Sequence, residues 1–195
     1  ERRLAATHFN SYVSTLPLAD GDDHLECGHI FQMNSEWWVC ASPACDMEPG
    51  QNTIAFMGES KELRPFTALK LSEVKLENLT DRQINSGLYC FAETEPGVIR
   101  CLGLPSQDAV DDAGIGSEKV TWRTFIAKHD GRFCGGSLHL IRPRLNADAV
   151  EFPDDTAKVM AKLRYEYALN YIQKVGVSVT RIGLGYRADA FSKRP

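Results

Sequence analysis

The chain has 195 residues and an ordinary globular composition, 43% hydrophobic and 25% charged, which suffices for a buried core and excludes a disordered or fibrous protein. Its formal net charge of -4 offers no general attraction for a phosphate backbone, so nucleic-acid binding would require a local basic patch. No apolar run approaches the roughly 20 residues that cross a bilayer, and the opening Glu1-Arg2-Arg3 lacks the apolar core and cleavage site of a secretory leader. A cytoplasmic location is expected, and the six cysteines are expected to be buried thiols instead of a disulfide framework.

Leu4, His8, Phe9, Tyr12 and Val13 recur at helical spacing and predict a short helix from Arg3 to Val13, ending by Pro17. A beginning inside such a pattern, without Met, is the expectation for the back part of a longer protein whose partner domain lies upstream. After the acidic turn Asp20-Gly21-Asp22-Asp23, the runs Gly28 to Met33 and Glu36 to Ser42, joined by Asn34-Ser35, predict a hairpin. Trp37-Trp38-Val39-Cys40-Ala41 is apolar without alternation, as in a strand covered on both faces.

Further strands are predicted at Thr53 to Met57, Phe66 to Val74, Leu88 to Ala92 and Val98 to Leu102, with a helical turn near Glu77 to Asn85. Residues 105–116 read as a loop, and two long strands, Lys119 to Lys128 and Phe133 to Ile141, flank His129-Asp130-Gly131. From Asp154 to about Lys174, Val159, Met160, Leu163, Tyr167, Tyr171 and Ile172 form an apolar stripe. Asp154 is placed to cap this helix and Gly176 to end it. The fold class expected is α+β, mainly β: a small, SH3-like curved barrel with a short N-terminal helix and a long amphipathic C-terminal helix. The divisions expected are a lead-in helix and linker over 1–19, a β-barrel domain over 20–150, and a C-terminal helix with a docking tail over 151–195.

His24, Cys27, His29, Cys40, Cys45 and Asp46 are the ligand types that zinc prefers, with Cys27 and His29 expected on one face of a strand. Their spacing is not that of a zinc knuckle, because Cys40 and Cys45 stand five apart around Pro43. No metal or other cofactor is expected. Ser42-Pro43-Ala44-Cys45-Asp46 leaves a buried strand in a sharp turn and can present a hydroxyl, a thiol and a carboxylate. A carboxylate raises a neighbouring thiol's pKa, so Cys45 is a poor nucleophile; Asp46 can equally accept backbone N–H bonds in its own turn. Arg123, with Arg132, Arg142, Arg144 and Arg181, could form an anion-binding face, although solvated arginines are commoner. Arg123 and its neighbour Trp122 should point to opposite faces of a strand. No phosphate loop, dinucleotide fingerprint or nucleophile elbow is legible.

Gly28-His29-Ile30-Phe31, followed by Trp37 to Pro43, resembles the opening of the MazF/PemK-type SH3-like barrel, and Val120-Thr121-Trp122-Arg123 resembles a later strand of it. That family's members are ribonuclease toxins with an arginine just before the apolar strand, where this chain has Glu36. Ser42 to Asp46, with Leu163 to Ala168 and Arg181-Ile182-Gly183-Leu184, is similar to the C-terminal region of bacterial response-receiver proteins of two-component-like antiphage operons. It departs from that pattern at His29 and Met47.

The second resemblance implies a non-enzymatic output or interaction domain, with a phospho-accepting receiver upstream in the same chain and a protein as partner. Ser42, Cys45, Asp46, Arg123 and Arg181 are then the expected binding or regulatory surface, with the Ser42 to Asp46 turn packed on the Arg181 to Leu184 tail. The first resemblance implies a nucleic-acid-binding or RNA-cleaving barrel with Arg123, Ser42 and His129 in its groove.

Overall fold

The computed structural model describes residues 2–16, 18, 22–50, 62–104, 120–146 and 149–173. In chain order these form α1 (Arg2–Ser14), β1 (Thr15–Leu16), β2 (Asp22–His24), β3 (His29–Met33), β4 (Glu36–Cys40), β5 (Arg64–Glu73), α2 (Asp81–Ile84), β6 (Tyr89–Glu95) and β7 (Val98–Gly103). There follow β8 (Trp122–Ala127), β9 (Arg132–Cys134), β10 (Ser137–Ile141), β11 (Arg144–Leu145), β12 (Val150–Glu151), β13 (Asp154–Leu163) and a helix α3 over residues 165–173. Short 3-10 turns occupy Ala44–Met47, Leu76–Asn78 and His129–Gly131. The strand expected at 53–57, the loop at 105–116 and the tail from 177 lie outside the described residues.

Six strands close into a barrel in the order β13-β3-β4-β5-β8-β10, with β10 pairing back onto β13, and each of these pairings is antiparallel. Alternation along the strands decides the interior. Phe31, Met33, Trp38, Cys40, Phe66, Ala68, Phe125, Ala127, Leu138, Leu140, Ala157 and Val159 pack there as one cluster. Phe125 is its hub, stacked on Phe66 at 5.6 Å and meeting Trp38 and Phe31 edge-on at 5.2 and 6.0 Å.

The opposite faces of β3, β4, β5 and β13 are covered as well. Ile30, Trp37, Val39, Leu69 and Leu71 pack against Cys90, Ala92 and Leu102 of the β6–β7 hairpin and against Ala168 and Tyr171 of α3. The unalternating Trp37-Trp38-Val39-Cys40 run is thus a strand with two dry faces, Trp38 and Cys40 inward and Trp37 and Val39 outward. The β3–β4 hairpin turns through Asn34 and Ser35, both at positive φ, as a two-residue turn between twisted strands requires.

The expected helix from 154 to 174 is corrected. Residues 154–163 are a barrel strand, and the helix begins only at 165. The pattern misleads because β13 carries a bulge between Val159 and Ala161. Ala157 and Val159 face the interior, whereas Met160, Ala161 and Leu163 join the outer cluster. One extra residue breaks the period of two and produces spacings that mimic a period of 3.6. Asp154, read as a helix cap, instead pairs with Lys128 at 2.6 Å, and Asp155 with Arg142 at 3.3 Å.

The N-terminal helix forms as expected, but its apolar spacing does not mark its buried side. Thr7, Ser11 and Ser14 are buried, while Phe9 and Tyr12 are exposed. Among the described residues no helix is long and apolar enough to cross a membrane.

Candidate functional site

Arg64 opens β5 on its inward face, in line with Phe66 and Ala68, and is 0% exposed. A buried guanidinium must be neutralised and hydrogen-bonded to be tolerated. Its Nε donates to Asp130 Oδ1 at 2.9 Å, Nη2 donates to the same oxygen, and Nη1 donates to the Asp46 carbonyl at 3.1 Å. The second Asp130 oxygen accepts the Gly50 N–H at 2.7 Å, and His24 Nε2 stands 3.8 Å from it. Asp130 reaches this position because His129, Asp130 and Gly131 all take positive φ, which folds the turn between β8 and β9 back over the barrel end. Arg64 therefore ties two loops together, one carrying Asp46 and one carrying Asp130.

Burial pushes the Asp130 carboxyl up, but the Gly50 N–H and the Arg64 guanidinium outweigh that and hold it below the usual carboxylate range. The stability this pair supplies is present above the ordinary carboxylate pKa and is lost as pH falls through the lowered one.

The Ser42 to Asp46 turn sits on this clamp. Ser42 is buried, and its Oγ accepts the Thr67 N–H at 2.9 Å, which extends the junction of β4 and β5. Cys45 and Asp46 are exposed, with the Cys45 thiol donating to Asp46 Oδ1 at 3.4 Å. Arg123 is not part of this cluster. It lies opposite Ala68, four residues past Arg64 and about 13 Å along β5 at the rise of a strand. Its guanidinium faces inward, 5.7 Å from the Trp38 ring centroid, whereas Trp122 points outward and is exposed. Arg181, and with it the expected packing of the turn on residues 181–184, lies outside the described residues.

The residues weighed as metal ligands are dispersed. Cys27 packs in the outer cluster, Cys40 in the interior, and Cys45 on the surface. Among the described residues no group of three or more His, Cys, Asp or Glu side chains could hold a metal ion. Of the six cysteines expected to be buried thiols, Cys27, Cys40, Cys90 and Cys101 are, whereas Cys45 and Cys134 are exposed. Burial pushes the Cys90 thiol up to about 11 and Cys101 up to about 12, so both stay protonated and inert at neutral pH. His129 is exposed, in edge contact with His139 at 6.0 Å.

His29 is fully buried against the Phe133 ring. Its Nδ1 lies 2.8 Å from the Glu26 N–H and 3.2 Å from the Glu26 carbonyl, and its Nε2, 3.8 Å from the Asp23 carboxylate, has no hydrogen-bond partner among the described residues. Burial, reinforced by Lys162, pushes its pKa down to about 4 despite the opposing pull of Asp23 and Glu26. A histidine kept neutral by folding adds stability that is complete above its unfolded pKa near 6.5 and declines as pH falls towards 4. The urea midpoint should accordingly drop between those two pH values. His29→Asn, which keeps an acceptor for the Glu26 N–H without titrating, should remove most of that drop; an unchanged pH profile in the variant would disprove it.

Arg64 and Asp130 escape a reading of the sequence. An arginine before Pro65 at a strand start reads as surface, and Asp130 reads only as a turn residue; nothing local links positions 66 apart. Compared with protein-family models, with curated proteins and with solved structures, the chain matches none.

Proposed function

We propose that this chain is a non-enzymatic output or interaction domain on an SH3-like barrel, following a phospho-accepting receiver in a cytoplasmic bacterial defence phosphorelay. The observation that carries this reading is the clamp beneath the Ser42 to Asp46 turn. Arg64 holds the Asp46 backbone from inside the barrel while the Cys45 and Asp46 side chains face solvent. A fixed backbone with exposed side chains suits recognition by a partner, since little ordering remains to be done on binding. The likeness of Ser42 to Asp46 to response-receiver proteins supplies the signalling context, by analogy.

In the full-length protein, Asp46→Ala and Arg181→Ala should each abolish phage protection in cells carrying the operon. The thermal midpoint should stay within the few degrees expected of a surface change. Undiminished protection by the Asp46 variant, or unfolding of both variants, would remove the basis of the reading.

A second reading, a MazF/PemK-like nucleic-acid-binding barrel, is favoured by one observation. Arg123 and the exposed Trp122 put a cation and a ring on the two faces of one strand. Against it, the Ser42 hydroxyl is occupied by Thr67, and Glu36, in the place of the toxins' arginine, is paired with Lys70 at 2.8 Å.

A further inference from the structure

The helix α1 lies on the protein with its apolar side outward. Its buried residues are the polar Thr7, Ser11 and Ser14, which helical spacing puts on one seam, while Phe9 and Tyr12 fall on the far side, 66% and 75% exposed. An amphipathic helix ordinarily buries its apolar stripe, and the stabilisation from doing so is realised here only when something covers Phe9 and Tyr12.

Beside that stripe is a cavity of about 770 Å³, between the second half of α1, β1 and the end of the β6–β7 hairpin. Tyr12, Leu16, Leu18, Ile99 and Met160 give it apolar walls, and Glu93 and Glu95 line it too, with no lysine or arginine among the described residues around it. Glu93 accepts the Gly97 N–H at 2.8 Å. Glu95 has the Arg100 guanidinium only at 3.8 Å, and Glu73 holds that group closer, at 2.7 Å. The cavity is therefore apolar with a negative side. The helix has the opposite charge. Arg2 and Arg3 stand in its first turn with no acidic residue, and its last turn carries no basic residue.

We infer that α1 pairs with α1 of a second copy of this chain, antiparallel about a two-fold axis close to Phe9 and Tyr12. Phe9 of each copy packs on Tyr12 of the other, beside the cavity. The basic first turn of each helix comes to the C-terminal end of the other, where the last carbonyls favour a cation and Glu93 and Glu95 supply the counter-charge. A parallel pair would instead set two basic first turns side by side. The occupant is a second copy because one surface carries both the projecting ring and the cavity, and both the basic and the acidic end, as a two-fold contact requires. This inference rests on neither of the functional readings above.

α1 has 13 residues and is about 20 Å long. Such a contact is smaller than the standard interface of about 800 Å² on each side, so the expected dimer dissociates in the micromolar range. The test is sedimentation velocity of the whole chain over a series from about 1 to 300 μM, which brackets such a constant. The average mass should rise from monomer to dimer and no further. Tyr12→Glu, at an exposed position, should raise Kd at least about ten-fold and leave the thermal midpoint in place. Glu93→Lys with Glu95→Lys should weaken the dimer in the same way. Adding Arg2→Glu and Arg3→Glu to that pair should restore it, a rescue that a role confined to folding would not give. Thermal melts confirm that each variant is folded. A chain that stays monomeric at every concentration overturns the inference and leaves the helix to another occupant. A dimer that Tyr12→Glu does not weaken, or that the fourfold charge exchange does not restore, overturns it too, as does growth beyond the dimer.

Discussion

Asp130→Ala should lower the free energy of unfolding by about 3–5 kcal/mol at neutral pH, read as a fall in the urea midpoint. The magnitude follows from what is left behind. The Arg64 guanidinium stays wholly buried, its Nε and Nη2 lose the Asp130 oxygen, and the Gly50 N–H loses its acceptor. Desolvating a cation without its counter-charge is the costly part, far more than the loss of one surface ion pair. Arg64→Met combined with Asp130→Ala should therefore recover much of the loss, because it removes the charge that needed compensation. A double-mutant cycle giving a coupling below about 0.5 kcal/mol would show that the two residues act independently. Amide exchange in the Asp130 variant should rise most around residues 44–50, the segment the clamp holds.

Phe125→Ala should cost a similar amount, about 3–5 kcal/mol, through a cavity at the centre of the barrel. Its ring touches three other aromatic rings contributed by β3, β4 and β5, and all four side chains are buried. A closed ring of six hydrogen-bonded strands cannot collapse inward to fill the space as an open sheet can, so little of the lost packing is regained. Phe125→Leu, which leaves a smaller void, should cost clearly less. A loss under about 1 kcal/mol for the alanine variant would mean that the interior repacks freely, which a closed barrel does not allow.

The site was less legible than the fold. Ser42 to Asp46 stands out because it follows an apolar strand and contains a proline, and it is indeed a turn with two exposed polar side chains. What holds that turn could not be read, since Arg64 and Asp130 meet only after β5, β8 and the 3-10 turn at 129–131 are assembled. Arg123 was singled out for its charge and its alternation with Trp122. Only the register shows that it stands opposite Ala68, in the row of Cys40 and next to Thr67, whose N–H Ser42 accepts.

Local patterns determined the elements whose signal depends on a few neighbouring residues. The β3–β4 hairpin follows from a two-residue turn between apolar runs. The buried character of β4 follows from its lack of alternation, and the hairpin at Pro96-Gly97 from turn chemistry. Only the tertiary structure decided the identity of residues 154–163, because a bulged strand and a helix share the same apolar spacings and closure of the barrel between β3 and β10 selects the strand. It alone decided, too, which charges are neutralised inside the barrel. Those outcomes depend on partners far away in the chain, and neither composition nor periodicity encodes them.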